Sequence, residues 1–255
     1  LPGEEVHPPE NNIHIINFGG RFSVNEIHQQ RIDDYRRQVA EIQSALSLPK
    51  GVRAYDVASA LWVFRKVEEA GGVSILCHPN WTWNGAYNLP ARTYTYFLEH
   101  IGYDVLELIN GGNYPRENQL QVAAWYNSGA PEKRPPVVGA DDSHGSVNGK
   151  WFDIGKTYAL AVSNAREDVL ESLRSGLCCA VEQYHEEGAR IYGSLRLVRY
   201  FTFLQDEYFP LHDELCMEEG RLMLEYSDGS EYAKERLTAC SGQTDRLYRH
   251  LFGRA

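Results

Sequence analysis

Two short apolar runs in this sequence each lead into candidate metal ligands, and that repetition narrows the available folds more than any other feature. Pro136-Pro-Val-Val-Gly-Ala140 reads as a short buried strand that delivers Asp142 and His144 beyond its C-terminal end. Residues two apart on an extended chain point to the same side, so on this reading both side chains reach one metal. A carboxylate and an imidazole so placed suit zinc, manganese or iron better than calcium or magnesium alone. A turn or a helix cap is the alternative for such a pair. Gly72-Val-Ser-Ile-Leu-Cys-His78 repeats the design, and Pro79, lacking an N–H, stops the strand. Strands that finish in functional residues and alternate with helices make the working face of an α/β barrel or an open α/β sheet.

Helical signals lie between these runs. Ser23-Val-Asn-Glu26 is a capping-box pattern that starts an amphipathic helix expected to reach Leu46, with Ile27, Ile32, Tyr35, Val39 and Ile42 on its apolar stripe. Asp56 is expected to cap a second helix that stops at Gly71-Gly72. Further helices are expected over residues 90–100, 117–128 and 166–175, and strands over 104–110, 157–162 and 177–181. Residues 1–183 form one expected domain. Residues 184–255 read as a helical extension, divided at Pro210 and Asp228-Gly229, that covers the first domain or makes a homodimer.

The formal charge of −10, from 25 basic and 35 acidic residues, argues against a protein that holds long nucleic acid by its phosphates. A short oligonucleotide in a metal-lined pocket stays open. No apolar run approaches the roughly 18 residues of a membrane span and no signal-peptide pattern stands at the start, so a cytoplasmic protein is expected. The five cysteines are odd in number and lack zinc-finger spacing, which reads as reduced thiols. Strand alternation puts Cys77 and His78 on opposite faces, so Cys77 is not counted as a ligand.

Three further features bear on a site. Asn80-Trp-Thr-Trp-Asn-Gly85 is a polar and aromatic loop whose Trp81 and Trp83 either contact substrate or form a lid packed on the protein itself. Glu107, inside an apolar strand, is costly unless paired, and is expected to support a metal-bound histidine rather than to bind metal itself. Arg116 and Lys150 are either cations for a phosphate oxygen or ordinary surface charges.

Pro2-Gly-Glu-Glu-Val6, His14-Ile-Ile-Asn-Phe-Gly19, Ile75-Leu-Cys-His-Pro79, Leu106-Glu-Leu-Ile-Asn110 and Gly139-Ala-Asp-Asp-Ser-His144, taken in order, resemble the motifs of the PHP family, the phosphoesterase domain named from DNA polymerases and histidinol phosphatase. The resemblance covers residues 1 to about 183. It implies an α/β protein with a distorted TIM-like (β/α)7 barrel and two or three divalent ions, zinc, manganese or iron, that hydrolyse a small phosphate ester. Carried over by position, the ligands are Glu5, His14, His78, Asp142 and His144, with Asp142 and His144 also candidates to move the proton. His7 shares the face of Glu5, as a further ligand or as a solvent-facing histidine. The alternatives are a non-catalytic metal- or partner-binding module, or hydrolysis of a carboxylic or carbamic ester. Family members carry a His-x-His and an Asp-His pair ahead of the glutamate motif. This sequence opens on that motif and has no His-x-His, so its numbering is expected to begin inside a longer chain; the other reading is a barrel that has lost two strands.

Overall fold

The computed structural model describes residues 1–100, 102–145, 151–184 and 187–253. Two compact units divide it, Leu1–Val198 and Arg199–Ala255. The first is a mixed α/β unit. Its main sheet has the strand order β1-β2-β3-β6-β7, made from Gly3–Val6 (β1), Ile15–Phe18 (β2), Val73–Leu76 (β3), Val105–Asn110 (β6) and Val137–Ala140 (β7). β1, β2 and β3 pair antiparallel, while β3, β6 and β7 run parallel. A hairpin, Thr82–Trp83 (β4) and Ala86–Tyr87 (β5), follows β3. A second, antiparallel sheet joins Gly155–Ala159 (β8), Cys178–Glu182 (β9) and Arg190–Tyr192 (β10).

The parallel strands are buried along their length, as crossovers that lay helices on a sheet demand. The crossover from β3 to β6 carries Ala91–Glu99 (α4), and Pro115–Asn127 (α5) connects β6 to β7. Val24–Gln30 (α1), Ile32–Ala45 (α2) and Ala54–Glu69 (α3) lie between β2 and β3, and Arg166–Arg174 (α6) between β8 and β9. One core cluster gathers Leu76, Leu106, Leu108, Trp62, Phe64 and Phe97; a smaller one gathers Val73, Ile75, Val105, Val138, Leu170 and Leu173.

Three local expectations change. The long first helix breaks at Arg31, whose φ of −130° and ψ of 51° are not helical, so α1 and α2 are separate. Ser23 caps α1 as the pattern implied, its Oγ accepting from Glu26 N–H at 3.1 Å. Asp56 is not a cap: α3 begins two residues earlier, and Asp56 lies buried in its first turn, 3.3 Å from Arg53 Nε. Past residue 183 the chain first forms a strand, β10, before any helix.

The second sheet reaches the first at Gly139. A Cβ on that residue would stand 2.5 Å from the Lys156 carbonyl oxygen, so only glycine allows the approach. Thr157 Oγ1 secures the junction, accepting from Gly139 N–H and donating to Gly139 O. Among the described residues the strands do not close into one hydrogen-bonded barrel. In the second unit, Phe209–Ser227 (α8), Glu231–Cys240 (α9) and Gln243–Phe252 (α10) continue from Leu195–Phe203 (α7), with Leu222 and Ala233 buried. No helix among the described residues is long and apolar enough to cross a membrane.

Candidate metal centre

Register builds the site. Glu5 pairs with Ile16, Ile16 with Ile75 and Ile75 with Val105, so these four side chains form one row on one face of the main sheet. His14, two residues before Ile16, continues that face. Glu107, two residues after Val105, does so on β6. At the end of this row lies a pocket of about 270 Å³ lined by Glu5, Ile16, Cys77, His78, Glu107, Asn110 and Asp142 among others.

Strand alternation from Ile75 carries Cys77 to the pocket and would send His78 away from it. The strand ends at Leu76, however, and His78 has a φ of +23°, a value rare for a side chain of its size. That turn brings His78 onto the pocket side. Asp142 also has a positive φ, +49°, beyond the end of β7. Strained backbone at two adjoining positions marks a place where geometry is maintained against local preference.

Beside the pocket, His14 Nδ1 lies 2.7 Å from Glu5 Oε1 and 2.8 Å from His78 Nε2, which is itself 3.6 Å from Glu5 Oε1. The other His78 nitrogen, Nδ1, donates to Glu107 Oε2 at 2.9 Å, and the His78 N–H donates to the same oxygen at 2.6 Å. Glu107 is 1 % exposed, so its two bonds to His78 and a third from Asn110 Nδ2 at 3.1 Å are what hold a carboxylate there. With Nδ1–H committed, Nε2 of a neutral His78 presents a lone pair beside those of His14 and Glu5.

Charge is strongly coupled. Burial raises the Glu5 carboxyl, but the His14 hydrogen bond and the nearby His14, His78 and His7 overcome it and bring it down to about 2. Burial lowers His78, and the charge and hydrogen bond of Glu107, with Glu5 and Asp142, more than reverse it. Burial, assisted by Glu5 and Glu107, raises the Asp142 carboxyl. Three carboxyl groups thus crowd one small pocket, and a proton on His78 or a metal ion in its place would offset their negative charge. The donor set fits a metal: ligands of a tetrahedral zinc with bonds of about 2.0–2.1 Å stand roughly 3.3 Å apart. The Glu5, His14 and His78 donors, at 2.7–3.6 Å, need little adjustment to reach that spacing. Asn110 Oδ1, buried in the pocket wall without a hydrogen-bond partner, offers a further oxygen.

The expected site residues divide. Glu5, His14, His78, Glu107 and Asp142 gather here. His144 does not join them: its side chain is 80 % exposed, with Nε2 3.6 Å from Asp142 Oδ1. The premise that Asp142 and His144 share an extended strand fails because β7 ends at Ala140 and Asp142 turns left-handed. Trp81 packs at the margin, its ring 6.1 Å from His14, 5.9 Å from His78 and 5.8 Å from Trp83. Trp83 is 67 % exposed. Arg116 is exposed, over the Tyr114 ring at 5.2 Å, and is not in the pocket lining. Lys150 lies outside the described residues. His7 stacks on His14 with ring centres 4.1 Å apart and meets Glu5 Oε1 at 3.3 Å.

Sequence reasoning missed two groups. Cys77, Glu107 and His78 each offer a ligand atom within 4.8 Å of the others, which the assumption of a continuing strand concealed. It also missed the buried polar face of α5. Gln121 Nε2 donates to Leu108 O at 2.9 Å while its Oε1 accepts from Asn80 N–H at 3.2 Å. Glu117 accepts from Thr82 Oγ1 and from Tyr114 N–H. Asn118 donates to Asn110 O and Glu182 Oε1, so α5 fixes the pocket wall, the tryptophan hairpin and β9 together. The spacing of Glu117, Asn118 and Gln121 was the available signal, a one-sided polar stripe on a helix that must bury a face.

No family model, curated protein or solved structure matches the chain.

Proposed function

We propose that the chain is a metal-dependent hydrolase of a small phosphate ester, a nucleotide, sugar phosphate or short oligonucleotide, built on the PHP plan. The observation that carries this reading is the convergence of Glu5 Oε1, His14 Nδ1 and His78 Nε2, with Glu107 behind His78. Parallel strands β3 and β7 deliver His78 and Asp142 at their C-terminal ends, the usual place for chemistry in α/β barrels and sheets. On the fold level the reading extends to a distorted PHP-type barrel, with the second sheet adjoining β7 at Gly139.

Divalent ions bound here would lower the pKa of a water, orient the phosphoryl group and offset charge on the leaving oxygen. Glu107 holds the His78 ring by Nδ1–H and so keeps Nε2 turned inward. Asp142 stands half-buried at the pocket beyond the end of β7 and is placed to pass a proton to the leaving group. Trp81 and Trp83 form the adjoining aromatic wall.

A second reading, a metal-binding module without catalysis, is favoured by two facts: His144 is exposed, and among the described residues no Lys or Arg lines the pocket. Elemental analysis of the dialysed chain followed by a phosphate-ester panel separates the two. Two or three ions per chain with metal-dependent phosphate release supports the hydrolase. Retained metal without release from any ester leaves the binding module, and no metal even after reconstitution removes both.

A further inference from the structure

We propose that Cys77 is a thiolate ligand of the cation held in this pocket, and that it makes the centre selective for zinc or iron(II) over magnesium and calcium. This rests on the metal reading above and adds a ligand that the ordered motifs do not supply.

Cys77 is 1 % exposed, yet it belongs to neither of the two apolar core clusters, where a buried cysteine usually packs. It lines the same pocket as Glu5, His78, Glu107, Asn110 and Asp142. Its sulfur stands within 4.8 Å of ligand atoms of both His78 and Glu107. Alternation from Ile75 aims the side chain into the pocket by the ordinary geometry of the strand, whereas His78 needs its positive φ to reach the same place. The single thiol proton points to Ile75 O at 3.3 Å, away from the ligand atoms of His78 and Glu107 that the sulfur adjoins. A second observation is independent of the cysteine: Asn110 Oδ1 is buried on the same wall with no hydrogen-bond partner. A cation bound by the sulfur in this pocket satisfies the orphaned acceptor on its wall as well as the negative charge around it.

Binding breaks the S–H bond, the sulfur keeps the electron pair and donates it to the cation, and the proton leaves to solvent. A soft thiolate beside imidazole favours zinc and iron(II), while a site of oxygens alone would admit magnesium or calcium.

Cobalt(II) titration of the full chain tests the assignment. A cobalt–thiolate bond adds a sulfur-to-metal charge-transfer band in the near ultraviolet, separate from the visible d–d bands that histidine and carboxylate ligation already produces. The expected result is both sets of bands in the unaltered chain and in Cys216→Ser, which removes an exposed thiol 3.7 Å from His212 Nδ1. Cys77→Ser and Cys77→Ala should lose the charge-transfer band, keep the visible bands, and discriminate less between zinc and manganese. Visible bands without charge transfer in the unaltered chain overturn the Cys77 assignment and leave the histidine and carboxylate centre standing. No cobalt absorption of either kind overturns both. If neither Cys77 variant folds, as circular dichroism would show, scalar coupling between a bound magnetic cadmium isotope and the Cys77 Hβ protons of the unaltered chain decides: coupling supports the ligand, and bound cadmium without it refutes the ligand.

Discussion

Glu4 and Glu5 are chemically alike and adjacent, yet alternation gives them separate tasks. Glu5 faces the two histidines, while Glu4 anchors the start of α1, accepting from Asn17 Nδ2 at 2.9 Å, Ser23 Oγ at 2.7 Å and Val24 N–H at 2.6 Å. Burial opposes the Glu4 charge, but these bonds prevail and hold its carboxyl below the ordinary 4.5. A depressed acid contributes stability that is full above its unfolded value and is lost as pH falls through the folded one. Glu4→Gln should therefore cost about 1–3 kcal/mol at pH 7, as expected for bonds to a charged group. Denaturant melts should show that difference narrowing below pH 4.5. Glu5→Gln should abolish metal retention, whereas Glu107→Gln, which only orients His78, should weaken it about 10–100-fold, both read by competition with a chelating dye. Since its surroundings raise His78 above the ordinary 6.5, protons should compete with metal to higher pH than at an isolated histidine, and apparent affinity should climb as pH rises past that value.

At the scale of elements, α5 carries more of the site than its peripheral sequence position suggests. Gln121 is fully buried and bridges Asn80, in the turn that leads into the hairpin, to Leu108 of β6, so Gln121→Ala should leave both backbone groups unpaired and cost about 1–3 kcal/mol. Tryptophan fluorescence of Trp81 and Trp83 should report the loosened hairpin before global unfolding. The hairpin itself turns at Asn84 and Gly85, with φ of +50° and +77°, the two positive values of a type I′ turn. Asn-Gly between two short β-prone pairs is a legible hairpin signal, which the polar and aromatic composition of the stretch disguises as a loop. The strands and helices were otherwise readable from apolar period and caps to within a few residues. The break at Arg31 was not, because the apolar stripe runs on through it.

For the whole molecule, a ligand that binds only the folded state stabilises by mass action, about 2.7 kcal/mol at a hundredfold excess over Kd. Zinc should raise the thermal midpoint of the unaltered chain, as differential scanning fluorimetry would show, and leave that of His78→Ala unmoved. The division after Val198 predicts that a fragment of residues 1–198, which contains both α/β core clusters, folds cooperatively and retains metal; loss of far-ultraviolet dichroism or of metal would refute it. What the sequence determined by itself was local and periodic: β-like runs ending near His78 and Asp142, helices between them, and Glu107 as a charge that needed a partner. These follow from side-chain alternation and from the cost of burying an unpaired carboxylate. What only the tertiary structure decided was which atoms meet. Pairing of β1 with β2 and of β2 with β3 brings Glu5 to histidines far along the chain. The departure of β7 from extended geometry after Ala140 leaves His144 in solvent. The turn after Leu76 lets Cys77 and His78 share a pocket that continued alternation would have denied them. Register and chain reversal are long-range properties, set by how whole strands pack, and no local pattern encodes them.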